Sequence, residues 1–86
     1  MQGNSSIFDK KQVLITGGTG SFGQSFAKRL LANTEVDRVV IFSRDEMKQW
    51  QLESRIEDER IRFMLGDVRD KDRLRRAFHG IDFVVH

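Results

Sequence analysis

The residues whose types and spacing can do chemistry begin with the run Thr16-Gly17-Gly18-Thr19-Gly20-Ser21-Phe22-Gly23. A phosphate reaches backbone N–H donors only where side chains are absent and the chain turns sharply, which glycines between a strand and a helix provide. Two frames are present: Gly18, Gly20 and Gly23 give G-x-G-x-x-G, and Gly17, Gly20 and Gly23 give G-x-x-G-x-x-G. In both, Gly20 permits close approach of a pyrophosphate and Gly23 lets the helix pack on the preceding strand, with the N–H groups near Ser21 and Phe22 aimed at the anion. A glycine-rich turn that binds nothing has the same letters. Its place after the first strand of a repeating strand-helix pattern favours a dinucleotide site.

About 20 residues beyond the glycines, a site for NAD usually offers Asp or Glu to the ribose 2′-hydroxyl. Here that count lands on Ser43, with Arg44 beside it and Lys48 one helical turn further on. Ser43 can hydrogen-bond a 2′-phosphate, and Arg44 can clamp or stack on it. Each charged contact is worth about 1.5 to 3 kcal/mol, so one or two favour NADP over NAD by about tenfold or more. Asp45 is the competing group, able to take the ribose hydroxyl if the strand ends later. The plain alternative makes Ser43 and Glu46 a helix capping box and Arg44 a solvated charge. After the third apolar run, Gly66-Asp67-Val68 falls at the same end of the sheet. There Asp67 can accept from an adenine amino group and Val68 can offer a backbone N–H.

These groups require a scaffold of alternating elements. Gln12 to Thr16, Arg38 to Phe42, Ile61 to Leu65 and Ile81 to His86 read as strands, nearly all apolar and so covered on both faces. Between them lie a helix from Phe22 to near Asn33 with Phe22, Phe26, Ala27, Leu30 and Leu31 on one stripe, a second carrying Met47, Trp50 and Ile56 towards the sheet, and a third capped by Asp70 and carrying Leu74, Ala77 and Phe78. The order β-α-β-α-β-α-β predicts an α/β fold, a Rossmann-like doubly wound parallel sheet joined by right-handed crossovers. Residues 1 to 11 read as a polar lead-in from which Ile7 and Phe8 dock on the sheet edge, and residues 12 to 86 as the domain. The arginines at 69, 73, 75 and 76 read as a solvated helix face, and His79 and His86 as structural groups.

Composition narrows the class. The 86 residues carry a formal charge of +2 without blocks of like charge, which gives no nucleic-acid surface. Cysteine is absent, excluding disulfides and thiolate metal sites, and no metal is expected. The apolar runs reach four to five residues, far below the roughly 20 of a membrane span, and the first residues lack the core of a secretory signal. A cytoplasmic location is the expectation.

Taken together, Ile-Thr-Gly-Gly-Thr-Gly-Ser-Phe-Gly at 15 to 23, Ser-Arg-Asp-Glu-Met-Lys-Gln at 43 to 49, Arg-Ile-Arg-Phe at 60 to 63, Gly-Asp-Val-Arg-Asp-Lys-Asp-Arg-Leu at 66 to 74 and Asp-Phe-Val-Val-His at 82 to 86 resemble the start of an extended short-chain dehydrogenase/reductase. The segments are most similar to the inverting UDP-N-acetylglucosamine 4,6-dehydratase group of bacterial polysaccharide and flagellin-glycan biosynthesis. The resemblance implies that Gly17, Thr19, Gly20, Ser21, Phe22 and Gly23 form the cofactor turn. It further implies that Ser43, Arg44 and Lys48 hold the 2′-phosphate of NADP, and that Asp67 and Val68 meet the adenine. It also implies a UDP-sugar substrate and a homo-oligomer for the full-length protein, and a reaction that oxidises C4, eliminates water across C5 and C6 and returns the hydride to C6. The family's Tyr-x-x-x-Lys pair has no counterpart here, since the chain has no Tyr. The expectation is therefore a cofactor-binding portion that is inactive alone, with no catalytic residue assigned. An epimerase or reductase of the same class, or a non-catalytic dinucleotide-binding module, is the alternative.

Overall fold

The structure, a computed structural model, describes residues 6 to 17 and 19 to 86. Gly18, and with it the first of the two glycine frames, lies outside the described residues, as do residues 1 to 5 of the lead-in. Seven elements follow in order: β1 (Gln12–Thr16), α1 (Ser21–Asn33), β2 (Arg38–Ser43), α2 (Glu46–Glu53), β3 (Ile61–Leu65), α3 (Lys71–Ala77) and β4 (Phe83–Val85). The strands form one sheet in the order β3-β2-β1-β4, and every pairing is parallel. The order reverses between β1 and β4. In such sheets a ligand crevice opens at that point, beyond the carboxyl ends of the strands.

Strand parity divides the interior into two layers. Val13, Ile15, Val39, Ile41 and Ile61 face one way and pack with Ala27 and Leu30 of α1, joined by Phe63, Phe83 and Val85. Leu14, Val40 and Phe42 face the other way, against Ala77 and Leu74 of α3. The central strands β1 and β2 thus have the reason expected of apolar strands, both faces being covered, whereas Arg62 on β3 is exposed. Val84 shares its parity with the second layer and is half exposed.

Four predicted packing residues are corrected. Met47 and Trp50 do not face the sheet; both are about two-thirds exposed. α2 instead turns the nearly opposite face inward, so that Gln49 and Leu52 are buried. The cause is polar: the Gln49 side-chain amide donates to the Ser43 carbonyl at 3.1 Å and the Met64 carbonyl at 2.9 Å, tying the ends of β2 and β3. Phe78, the C-cap of α3, also lies outside the core and is exposed. Phe22 is likewise largely exposed and stacks on Phe26, with ring centroids 5.7 Å apart.

The lead-in is more integrated than its polarity implied. Phe8 packs edge-on against Phe26 and Phe83, whereas Ile7 is exposed. The Asp9 carboxylate accepts from the Ser6 and Glu35 amides, both at 2.8 Å, pinning this segment to the α1-β2 connection.

Arg60 joins three elements at the opposite end of the sheet from the glycine turn. Its guanidinium donates to the Leu31, Thr34 and Val36 carbonyls and pairs with Asp58 at 2.8 Å. The hydrogen bonds from Arg60, ahead of every other influence, hold the Asp58 carboxyl below its ordinary range. A depressed carboxyl contributes stability above its unfolded pKa of about 4, and that contribution is lost as pH falls through the folded value. Urea midpoints measured from pH 7 down to pH 3 are therefore expected to fall less steeply in Asp58→Asn than in the parent chain. Parallel curves would refute this role for the pair.

Candidate functional site

The glycine turn connects β1 to α1 at the carboxyl edge of the sheet. Gly17 has φ of +64°, a left-handed conformation that favours glycine, and its N–H continues the ladder by donating to the Phe42 carbonyl at 2.9 Å. The Gly17 carbonyl then accepts from the Gly20 N–H at 3.1 Å, closing the turn. Gly20 is the N-cap of α1 and supplies no side chain, whereas α2 and α3 are capped by the carboxylates of Asp45 and Asp70. The amides of Ser21 and Phe22 thus open the helix with no side-chain cap over them, and Gly23 is buried beneath. An unshielded helix start with glycine at its cap suits an anion.

Thr19 and Ser43 tie this turn to the end of β2. Their hydroxyls lie 3.1 Å apart, and both side chains are buried. The Ser43 hydroxyl also accepts the Asp45 amide at 3.0 Å. Ser43 is therefore not the cap of α2. The capping-box reading is corrected: Asp45 is the cap, accepting the Lys48 amide at 3.0 Å, and Glu46 is the first helical residue. An Asp nearer the helix outcompetes a Ser that is drawn inward by Thr19.

Asp67 stands across from Arg44. Oδ2 of Asp67 receives Arg69 at 2.8 Å and Arg44 at 3.5 Å, and the Arg69 amide adds a bond at 2.9 Å. The side-chain and backbone bonds from Arg69, with a smaller pull from Arg44, hold this carboxyl far below the usual carboxylate range. It is ionised throughout the neutral range. Arg69 and Arg73 are thus not merely a solvated face: Arg73 reaches back to the Leu65 carbonyl, its stem lying against Gly66.

Between these groups lies an open cavity of about 610 Å³, lined by Gly17, Thr19, Ser43, Arg44, Lys48 and Asp67 among others, with Val68 on its rim. His86 reaches the same mouth, its Nδ1 2.6 Å from the Thr16 hydroxyl. The fold thus brings the β2 and β3 groups to one opening beside the glycine turn, while Ser21, Phe22 and Gly23 sit at the adjoining start of α1. Sequence reasoning missed the anchoring role of Gln49 and the reason for glycine at 66. Gln49 shared the spacing of Leu52 and Ile56, a signal hidden by its polarity. Gly66 had none, because its need for glycine comes from the ring of Phe42. No cluster of metal-ligating side chains occurs among the described residues, and no described helix is long and apolar enough to cross a membrane.

A four-stranded parallel sheet with this turn at its crevice is part of a Rossmann-like fold of the short-chain dehydrogenase/reductase type. The chain belongs to the polysaccharide biosynthesis protein family, whose sequence profile matches residues 13 to 86. It is 49% identical over 80 residues to the inverting UDP-N-acetylglucosamine 4,6-dehydratase of Campylobacter jejuni, covering 93% of this chain and 24% of that protein. It is 39% identical over 83 residues to the UDP-glucose 4-epimerase of Rickettsia felis, with the same coverage. Among solved structures, Pen from Bacillus thuringiensis superposes with a TM-score of 0.85 at 39% identity, covering 92% of this chain and 24% of that one. The chain spans about a quarter of the length of the relatives it matches. The family joins nucleotide-sugar dehydratases and epimerases.

Proposed function

We propose that residues 12 to 86 are the NADP-binding portion of a UDP-N-acetylglucosamine 4,6-dehydratase of bacterial surface-glycan synthesis. One observation supports the cofactor choice: at the end of β2 two cations, Arg44 and Lys48, line the mouth beside Ser43, and the rival Asp45, which borders the same mouth, has one carboxylate oxygen engaged as a helix cap. Arg44 and Lys48 would hold the 2′-phosphate, and the uncapped start of α1 behind Gly17 and Gly20 would take the pyrophosphate. Asp67 and Val68 would border the adenine. Bound there, the nicotinamide supplies a reversible hydride acceptor. The chain's own residues hold and orient it; with no Tyr among the 86, none is assigned to proton transfer, and the chain alone is expected not to turn over a UDP-sugar. A UDP-sugar substrate, a homo-oligomeric assembly and a cytoplasmic location for the full-length protein complete the reading.

Calorimetric titration of the chain with NADP and NAD tests it. NADP is expected to bind about tenfold more tightly, with the preference lost in Arg44→Ala. Equal affinities in the parent chain would refute the NADP preference. An NAD(P)-dependent epimerase is the second reading, supported by the 39% identity to UDP-glucose 4-epimerase. Product mass separates the two for the full-length protein, because only a dehydratase loses water.

A further inference from the structure

Arg44 stands in a pair whose geometry is asymmetric. Asp67 Oδ2 is shared by two guanidiniums, and Arg69 holds it at 2.8 Å with Arg44 at 3.5 Å. Arg69 also contacts Asp67 Oδ1 through its Nε at 3.2 Å, and its amide bonds the same oxygen. The carboxylate is thus compensated by Arg69 whether or not Arg44 stays. The Arg44 side chain is about three-quarters exposed, so its pair is weak and readily exchanged. Lys48 lines the same mouth.

Resting on the NADP reading above, we propose that Asp67 is a positioning residue that sets dinucleotide specificity by competing with the 2′-phosphate for Arg44, with Arg69 as its standing counter-ion. Arg44 is kept over the cavity by Asp67 and passes to the phosphate when NADP enters; Arg69 keeps the carboxylate from being stranded. Asp67 therefore lowers discrimination between the two dinucleotides. Removing its charge frees Arg44 and takes one negative charge from beside the phosphate. Any contact that Asp67 makes with adenine is common to NADP and NAD and cancels from the ratio of their affinities.

The test is that ratio, measured by calorimetry in the parent chain, Asp67→Asn, Arg44→Ala and the double variant. Asn at 67 retains an acceptor for the Arg69 amide, and NAD binding reports that the site is formed. The expected result is a rise in the NADP-to-NAD ratio of about threefold in Asp67→Asn, absent in the Arg44→Ala background. An unchanged or lower ratio in Asp67→Asn overturns the proposal, whatever the parent chain prefers. A parent chain with no preference, together with an Arg44-dependent preference in Asp67→Asn, sinks the NADP reading and supports the competition. Binding of neither dinucleotide to any variant refutes both.

Discussion

Phe42→Ala is expected to lower the unfolding free energy by about 3 to 5 kcal/mol, read as a shift in urea midpoint at constant slope. The ring is fully buried and lies in the layer formed by Leu14, Val40 and Ala77, with Met64, Leu74 and Ile81 around it. Truncation loses that apolar burial and leaves a void that β2 and α3 cannot close together, since β2 is held by ladders to both β1 and β3. Native domains have only about 0.05 to 0.15 kcal/mol of stability per residue, so a loss of this size is a large fraction of the total for a chain this short. A loss below about 1 kcal/mol would mean that the layer between sheet and α3 is loosely packed.

Gly66→Ala is expected to cost about 1 to 3 kcal/mol and to weaken dinucleotide binding as well. A Cβ at this position would stand 2.7 Å from Cζ and 2.9 Å from Cε2 of Phe42, and 3.0 Å from Cγ of Arg73. The arginine stem can yield. The ring cannot, because it is enclosed on all sides, so the strain passes to the turn after β3. That turn carries Asp67, whose position opposite Arg44 shapes the mouth. Phe42→Leu removes the two ring atoms in closest approach, so in that background Gly66→Ala should cost measurably less. The cycle of four proteins isolates the coupling. Equal costs in both backgrounds would place the requirement for glycine elsewhere.

Much of the fold was legible because its signals are local. Four apolar runs at strand length, separated by helical stripes, admit only a parallel sheet with crossovers, and the strand bounds at 12 to 16 and 61 to 65 follow directly from them. Two of the differences have one cause. Met47 and Trp50 read as inward on hydrophobicity, while the rotation of α2 is set by the amide of Gln49. Periodicity weighs apolar residues and is blind to a buried polar anchor. The choice between Ser43 and Asp45 as cap had the same character: both suit the role, and only the pull of Thr19 on Ser43 separates them.

By itself the sequence determined the class of fold, the place of the glycine turn after the first strand, and the presence of Arg44 and Lys48, together with the rival Asp45, after the second. Those follow from composition and spacing within about 20 residues, where chain connectivity already limits geometry. Tertiary structure alone decided that Arg44 and Asp67, 23 positions apart, share one carboxylate oxygen with Arg69, that Ser43 lies inward against Thr19, and that position 66 has room for no side chain. Each depends on how far neighbouring strand ends and their turns project past one another. That distance is set by the packing of Phe42 and the hydrogen bonds of Gln49, and no local pattern encodes it.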